Sequence, residues 1–389
     1  MLKNNINGSE QSETIINIVN ISDYEEGTPN HQYRDAIINA KEKWESVITS
    51  VPNNLVLNIT VLITESLGEN ILGGATLEKV YDLNNGNNII DFGVDIDGKV
   101  MGTIIPAEGK LELARQYFND LENTIYSDGN NGLYITILHE IGHLLGILGI
   151  SYFCFKNDIS GYSNQNFDRY VNNNQYYSFF NPNISNSFFG GSSAVREYNN
   201  IFNSDSSSYW NLIPVENDGG AGTHHFHAEE GDEGDVSSNN RYIDGSNLDG
   251  SETRLYPGLD KELMTGWADG QIGNNNFMLP LSKITIGFLE DIGYSVDYSK
   301  ADYYNPPLQL EAEANNRLVG DVNNDGNISI ADVVFLSSYL ANLEPQKSAA
   351  QNDKYFMYAA DTNKDGKINI SDVVYLSSFL ANIPNYQLN

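Results

Sequence analysis

Apolar residues recur with helical spacing in two segments of the first half of the chain. From Tyr33 to Val51 they fall near one face and charged residues fill the other, which predicts an amphipathic helix. After Asn131 apolar residues surround the segment on nearly all sides, which predicts a buried helix. Alternating apolar positions predict a strand over residues 55–63, and a second strand-like run covers residues 88–96.

The pattern changes in the second half of the chain. Residues 151–218 are rich in Asn, Ser, Tyr and Phe and have weak periodicity, so we expect irregular, loop-rich structure. A further helix is expected from Ser282, a residue typical of an N-cap, to Gly293, a residue typical of a helix end. Two prolines follow Asn305, and the acidic, Asn-rich residues 306–317 are expected to form a linker.

Composition narrows the classes of partner and of site. The 52 acidic and 21 basic residues give a formal net charge of −31, so we expect neither nucleic acid nor an anionic membrane surface as a partner. No run approaches the ~18 apolar residues of a membrane span. The single cysteine, Cys154, excludes an internal disulfide and a zinc site built on several thiolates. Residues 1–12 lack the apolar core of a signal peptide, so a secreted form is expected to have lost its signal.

A zinc-binding motif lies inside the predicted buried helix. Residues 139–143 read HEIGH, an instance of the HExxH motif. His139 and His143 are four residues apart, so both imidazoles lie on one helical face and can bind one zinc ion at about 2.0–2.1 Å. Glu140 lies beside them and can take a proton from zinc-bound water.

The third zinc ligand is expected from a second group of histidines. A catalytic zinc site needs three protein ligands and one open position. Besides the two motif histidines the chain has His31 and a cluster of three, which are His224, His225 and His227. From the residues alone, any member of the cluster could complete the site. The alternative is a chance HExxH on an ordinary helix, with the cluster in an exposed loop.

The order of the motifs resembles that of leishmanolysin-like metzincin peptidases. Residues 143–146 continue the helix as HLLG, as in the metzincin pattern HExxHxxG, and Gly146 is expected to end the helix. Position 149 is glycine, where the usual metzincin has its third histidine. Leishmanolysin-like peptidases insert a long segment before that ligand, and residues 219–223, GGAGT, resemble the stretch that precedes it.

This resemblance implies the remaining site residues. It assigns the third zinc ligand to His227, although the family usually has Trp where this chain has Ala228. Residues 262–266, ELMTG, resemble the Met-turn, which implies that Met264 lies under the zinc ligands. The resemblance covers about residues 20–305.

The implied activity is zinc-dependent peptide-bond hydrolysis. His139, His143 and His227 would hold zinc, and Glu140 would act first as general base and then as acid towards the leaving amine. The substrate would be a protein or peptide lying extended in the cleft, and residues 88–96 are the candidate pairing strand by analogy with metzincins.

Two acidic loops forty residues apart repeat near the C-terminus. Residues 321–332 and 361–372 have EF-hand-like spacing, with oxygen side chains at positions 1, 3, 5 and 12, a carbonyl at position 7 and glycine at position 6. We expect one calcium ion in each loop. The candidate ligands are Asp321, Asn323, Asp325, Asn327, Ser329 and Asp332 in the first loop, and Asp361, Asn363, Asp365, Lys367, Asn369 and Asp372 in the second.

The repeated loops resemble those of dockerins, modules that bind cohesins on cellulosome scaffoldins. Each loop leads into a similar helix, over residues 332–342 and 372–382, and no convincing helix precedes the first loop, unlike a true EF-hand. The resemblance implies a cohesin partner, with either helix able to dock. The alternative is a small calcium-stabilised fold without a partner. The implied cohesin-contacting residues are Ile330, Ala331, Ile370 and Ser371.

These patterns together predict an α+β chain with an all-α appendage. The expected parts are a metzincin-like catalytic domain (1–305) with an N-terminal subdomain of twisted sheet and active-site helix (about 1–150) and a loop-rich C-terminal subdomain (about 151–305), a linker (306–317) and a small all-α calcium-binding dockerin domain (318–389). The expected function is that of an extracellular zinc metalloendopeptidase attached to a cellulosome-type assembly. The alternative is a catalytically inactive peptidase fold used for binding or adhesion, and the intact Glu140 favours the enzyme.

Overall fold

The structure, a computed structural model, has a mixed α+β architecture with a helical C-terminal region. It describes residues 14–68, 71–92, 102–124, 131–149, 178–180, 187–202, 213–216, 226–229, 242–246, 253–259, 261–266, 279–384 and 386–388. We call the described residues up to 305 the body and those from 318 onward the module.

The helices and strands alternate through the body, and the module is helical. The helices are α1 (Arg34–Val47), α2 (Phe118–Asn123), α3 (Gly132–Leu144), α4 (Ser192–Phe202), α5 (Lys283–Ile292), α6 (Pro306–Ala314), α7 (Ile330–Leu340), α8 (Gln346–Asn352), α9 (Phe356–Ala360) and α10 (Ile370–Leu380). The strands are β1 (Ile16–Ile18), β2 (Ile48–Ser50), β3 (Leu57–Thr64), β4 (Gly73–Asp82), β5 (Asn88–Asp91), β6 (Ile104–Ala114), β7 (Ser178–Phe180), β8 (Ser187–Phe189), β9 (Ile213–Val215), β10 (Tyr242–Ser246), β11 (Thr253–Pro257) and β12 (Ser295–Val296).

A five-stranded sheet carries the body. Its strand order is β1-β3-β6-β4-β5, with β3 parallel to β1 and β6, and β4 antiparallel to β6 and β5. The alternation that predicted the strand over residues 55–63 is confirmed in β3, where Leu57, Ile59 and Val61 are buried. The predicted helix over residues 33–51 ends earlier than expected, because the chain leaves it at Val47 and pairs β2 with β12.

The buried helix predicted after Asn131 is α3, which packs against α1 and against strands β4 and β6. Asn131 caps it by accepting a hydrogen bond from the backbone N–H of Tyr134 at 3.0 Å. The indole N–H of the buried Trp44 in α1 donates to the carbonyl of Leu138 at 2.8 Å. The two helices are therefore joined by a buried hydrogen bond as well as by apolar contact.

Residues 151–218 contain more regular structure than the expected loops. Strands β7, β8 and β9 form a small sheet, and helix α4 packs against α5. The carboxylate of Asp291 in α5 accepts hydrogen bonds from the N–H groups of Ser193 and Ala194, at 2.8 and 3.0 Å, in the first turn of α4. The prediction of loop structure was wrong for α4, because the N–H groups at the start of this helix are bonded by Asp291, a residue far away in the sequence.

The helix predicted from Ser282 to Gly293 is confirmed as α5, with Ser282 as its N-cap and Gly293 as its C-cap. The expected linker over residues 306–317 is instead largely helical, as α6. Asn305 accepts a hydrogen bond from the N–H of Leu308 at 3.1 Å, and prolines are well suited to a first helical turn, since they lack the N–H that would have no partner there.

The module has its own small core around α7, α9 and α10. Its buried apolar residues are Val322, Leu336, Ala350, Phe356, Ala360, Val373 and Leu376. Helices α7 and α10 begin two residues earlier than predicted, because Ser329 and Asn369 each form a capping box with the aspartate three residues later. Among the described helices, none combines the length and hydrophobicity that a membrane crossing requires.

The packing of α4 on α5 yields a stability prediction. A Cβ at Gly287 would stand 2.6 Å from the Cα of Ala194 and 2.7 Å from its backbone nitrogen. We expect Gly287→Ala to destabilise the protein by about 2 kcal/mol, because overpacking outweighs the ~1 kcal/mol gained in helix propensity. Urea unfolding followed by tryptophan fluorescence measures this change. The control is Gly74→Ala, where a Cβ meets nothing within 4 Å. Equal stability of Gly287→Ala and the parent would contradict the packing argument.

Candidate metal sites

Three imidazoles converge on one point in the body. The Nε2 atoms of His139 and His143 are 3.0 Å apart, those of His139 and His227 are 3.1 Å apart, and those of His143 and His227 are 3.0 Å apart. Ligands about 2.0–2.1 Å from one zinc ion at tetrahedral angles lie roughly 3.4 Å from one another. Three converging imidazole nitrogens therefore fit a zinc ion in ligand type and spacing. His224 and His225 lie outside the described residues.

Helix α3 presents two of the imidazoles and then ends at once. Gly146, at φ +99°, has the left-handed conformation that favours glycine. Its N–H donates to the carbonyl of His143 at 2.9 Å, and the N–H of Ile147 donates to the carbonyl of Gly142 at 3.2 Å. This is a Schellman ending. The expected helix end at Gly146 is confirmed.

The third imidazole is held by a segment clamped between two others. The N–H of Glu216 donates to the carbonyl of His227 at 3.0 Å, and the N–H of Ala228 donates to the carbonyl of Met264 at 2.9 Å. Ala228 also forms an antiparallel β-bridge with Val215, and it is fully buried. The position after His227 therefore packs in the interior here, where alanine fits.

The segment 262–266 supports the imidazoles from below. The carbonyl of Leu263 lies 2.6 Å from Nδ1 of His139, so this imidazole can donate there and keep its Nε2 for a metal ion. Met264 is fully buried, and a Cβ at Gly142 would stand 2.6 Å from its Sδ atom. Sequence reasoning identified Met264 but missed Leu263, because a backbone carbonyl leaves no mark in the sequence.

Glu262 fixes this segment and was also missed. Its buried carboxylate accepts hydrogen bonds from the N–H of Met264 at 2.7 Å, the N–H of Ser282 at 3.0 Å and the hydroxyl of Thr285 at 2.6 Å. These bonds join the segment to the start of α5. In the sequence Glu262 lies two residues before Met264 but twenty before Ser282, so this network cannot be read from neighbouring positions.

Electrostatics at the cluster favour a cation. Burial lowers the pKa of His139 and His143, and for His143 the neighbouring His227 and His139 lower it further. Neutral imidazoles keep the lone pairs that a metal ion needs. Burial also raises the pKa of Glu140, which is 8% exposed, to about 8.

Among the described residues, the strand end found beside Glu140 is that of β4 at Gly73. Strand β5, the described part of residues 88–96, lies at the sheet edge but pairs with residues 79–82 of β4. The other end of β4 lies beside the site, because a Cβ at Gly73 would stand 3.1 Å from Oε1 of Glu140. Residues 93–96 lie outside the described part of the chain.

The two acidic loops of the module have matching backbone geometry. In the first loop the carboxylate of Asp321 accepts hydrogen bonds from the N–H groups of the fifth and sixth residues, each at 3.0 Å. In the second, Asp361 accepts the same pair at 3.0 and 2.9 Å. The structure places the other candidate ligands along these turns, which are Asn323, Asp325, Asn327, Ser329 and Asp332, and Asn363, Asp365, Lys367, Asn369 and Asp372.

The aspartate at position 12 has two structural roles in each loop. Asp332 accepts hydrogen bonds from the N–H groups of Asn323 at 3.1 Å and Ser329 at 2.8 Å. Asp372 accepts from those of Asn363 at 3.3 Å and Asn369 at 2.9 Å. Both are fully buried. Each carboxylate therefore closes its loop and caps the following helix.

The residues expected to contact cohesin lie on the surface. Ile330 and Ile370 are 67% and 66% exposed, and Ala331 and Ser371 are exposed beside them. Val334 and Val374, one helical turn further, are 58% and 54% exposed. The two halves of the module thus present equivalent apolar surfaces.

Comparison with known proteins identifies the module. Residues 319–381 match the family model of the Dockerin type I domain. A search of curated protein sequences finds no significant match to the chain. The C-terminal region is therefore a dockerin type I domain, and the geometry of the body is the basis for any conclusion about its chemistry.

The histidine cluster predicts the zinc content of the protein. We expect about one zinc per chain, and His227→Ala should weaken zinc binding by more than about 100-fold because one of three ligands is lost. Metal analysis after dialysis at a fixed free-zinc concentration measures this loss. His31→Ala is the control, since His31 is an exposed residue near the chain start. Zinc retained by His227→Ala and lost by His225→Ala would show that the third ligand is misassigned.

Proposed function

We propose that the chain is an extracellular zinc-dependent metalloendopeptidase attached to a cellulosome-type assembly through its dockerin domain. One observation carries the peptidase proposal. Nε2 atoms from a helix and from a segment more than eighty residues later converge within 3.1 Å, beside the buried Glu140. The leishmanolysin-like order of the sequence motifs supports it.

The residues divide the chemistry between binding and proton transfer. His139, His143 and His227 would hold the zinc ion. A bound zinc ion supplies Lewis-acid polarisation of the scissile carbonyl. Glu140 accepts a proton from the attacking water and returns it to the leaving amine. Burial raises the pKa of its carboxyl, which makes it a stronger base for that proton.

The strand beside Glu140 favours an extended polypeptide as the substrate. The end of β4 at Gly73 lies against Glu140, and a sheet edge can pair with an extended peptide through main-chain hydrogen bonds. We therefore move the expected pairing strand from residues 88–96 to residues 73–77. The absence of a side chain at Gly73 lets the strand approach α3 closely, since a Cβ there would also stand 3.0 Å from the γ-methyl of Thr136.

The dockerin domain supports attachment to a cohesin module of a scaffoldin. Two calcium ions would occupy the loops at 321–332 and 361–372, since oxygen ligands at this spacing suit calcium. The equivalent surfaces around Ile330 and Ile370 fit docking through either helix. This role would be exercised outside the cell.

Catalysis by Glu140 is tested by Glu140→Gln. The variant should fold and keep zinc, and its hydrolysis of casein should fall by about 10²–10⁴-fold, because an amide cannot carry the proton. Cleavage assays on purified, zinc-loaded protein measure this, with His31→Ala as a control that keeps full activity. Undiminished activity in Glu140→Gln would refute its role. Zinc-loaded parent protein without any peptidase activity would favour the alternative of an inactive binding component.

Docking is tested by calorimetry with a cognate cohesin. Ile330→Glu and Ile370→Glu should each change affinity by about twofold at most, because the other helix can still dock, whereas the double variant should lose binding. Excess EDTA should abolish binding by all forms, since calcium orders both loops. Binding that survives in EDTA would count against calcium-ordered docking.

A further inference from the structure

The second calcium loop lies against the body. The N–H of Tyr303 donates to the carbonyl of Gly366 at 2.8 Å, and Nζ of Lys367 lies 3.1 Å from the carboxylate of Asp302. A Cβ at Gly366 would stand 2.8 Å from the backbone nitrogen of Tyr303, whereas one at the equivalent Gly326 would meet nothing within 4 Å. The two halves of the module therefore differ in surroundings although they agree in sequence pattern.

The contacting segment is firmly held by the body. Asp302 exchanges two backbone-directed hydrogen bonds with Leu281, one through its N–H at 2.9 Å and one through its carboxylate at 3.0 Å. Nζ of Lys43 in α1 lies 3.0 Å from the same carboxylate. The second loop thus packs on a segment that is already fixed.

Tyr303, whose backbone contacts the second loop, also carries a buried polar group. Its hydroxyl is buried and has no hydrogen-bond partner among the described residues. Burial, with the charge of Asp361, raises the pKa of Tyr303 to about 12. Asp361 is the first ligand position of the loop. Calcium sites commonly include waters among their oxygen ligands, and such a water would satisfy a buried hydroxyl.

The carboxylates of the second loop are gathered for a cation. One oxygen each of Asp361, Asp365 and Asp372 lies within 4.8 Å of the others, and among the described residues the first loop forms no such group. Three buried carboxylates at this spacing repel one another unless a cation joins them.

In the first loop a cation is in direct contact with the first ligand position. The buried guanidinium of Arg317 lies 3.3 Å from the carboxylate of Asp321 and donates to the side-chain oxygen of Asn324 at 2.7 Å. The residue at the equivalent position before the second loop is Met357. An ion pair with the first ligand partly neutralises the charge that attracts calcium.

We propose that the second calcium site is a composite site, with inner ligands from residues 361–372 and an outer wall formed by Asp302 and Tyr303 of the body. Calcium bound there fastens the module to the body, whereas the first loop binds calcium more weakly and affects the module alone. The body holds the second loop in place before calcium arrives, so less conformational freedom is lost on binding. The proposal rests on calcium binding by the module and is independent of the peptidase assignment.

Calcium titration of the full-length chain, at constant zinc, tests the inequality of the loops. Asp325→Ala disables the first loop and Asp365→Ala disables the second, so each remaining site is measured alone. We expect the second loop to bind at least about tenfold more tightly. Tyr303→Phe removes only the hydroxyl and should weaken the second loop by about tenfold, leaving the first unchanged. Arg317→Met, which copies the second half, should strengthen the first loop.

Thermal unfolding tests the fastening of the module to the body. The three tryptophans of the chain are Trp44, Trp210 and Trp267, and all of them precede residue 305. Their fluorescence therefore reports on the unfolding of the part of the chain that precedes the module. At saturating calcium, Asp365→Ala should lower this midpoint by about 3 °C or more, because the ligand-linked stabilisation is lost, and Asp325→Ala should leave it unchanged. Equal calcium affinities of the two loops, or equal effects of both variants on the tryptophan midpoint, would overturn the proposal. A chain that binds no calcium would overturn it together with the calcium assignment of the module.

Discussion

The body is organised around the convergence of three imidazole nitrogens within 3.1 Å. Uncharged nitrogen lone pairs at this spacing repel one another unless a proton or a metal ion lies between them, so the fold must hold them there. Helix α3 supplies two of them and is fixed by Trp44 and by the buried sheet face. The segment around Met264 supplies the other constraint, since it bonds both to His139 and to the residue after His227.

Local chemistry made the helices and loops predictable where a residue and its partner are neighbours in sequence. The end of α3 at Gly146 and the limits of α5 at Ser282 and Gly293 follow from capping within a few residues. The repeat of the two calcium loops is equally local. Helix α4 escaped prediction because Asp291, which caps it, lies more than ninety residues after the capped Ser193 and Ala194.

In the candidate zinc site, too, the features set by neighbouring residues were predictable and those set by distant residues were not. The motif at residues 139–143 is readable because its spacing is helical, and the resemblance to leishmanolysin-like peptidases selected His227 from a cluster of three. The supporting groups Leu263 and Glu262 were not readable, because one acts through its backbone and the other through a fold-dependent network. The place of β4 beside Glu140 was not readable for a related reason, since which end of β4 meets α3 depends on packing.

The two kinds of candidate metal site differ in how far apart their ligands lie in the sequence. Each calcium loop draws its ligands from twelve consecutive residues, so most of its geometry is local. The imidazole cluster draws on two segments more than eighty residues apart, so it exists only when the body is folded. The second loop also contacts Asp302 and Tyr303, so its surroundings, unlike its ligands, depend on residues far away in the sequence.

X-ray absorption at the zinc edge of the full-length protein loaded with one zinc ion tests the central claim most directly. We predict three imidazole ligands and one further light ligand at about 2.0–2.1 Å, with two imidazoles remaining in any zinc-bound fraction of His227→Ala. A spectrum with fewer than three imidazoles, or one that His227→Ala leaves unaltered, would contradict the joint grip of α3 and the segment at His227 on a single ion.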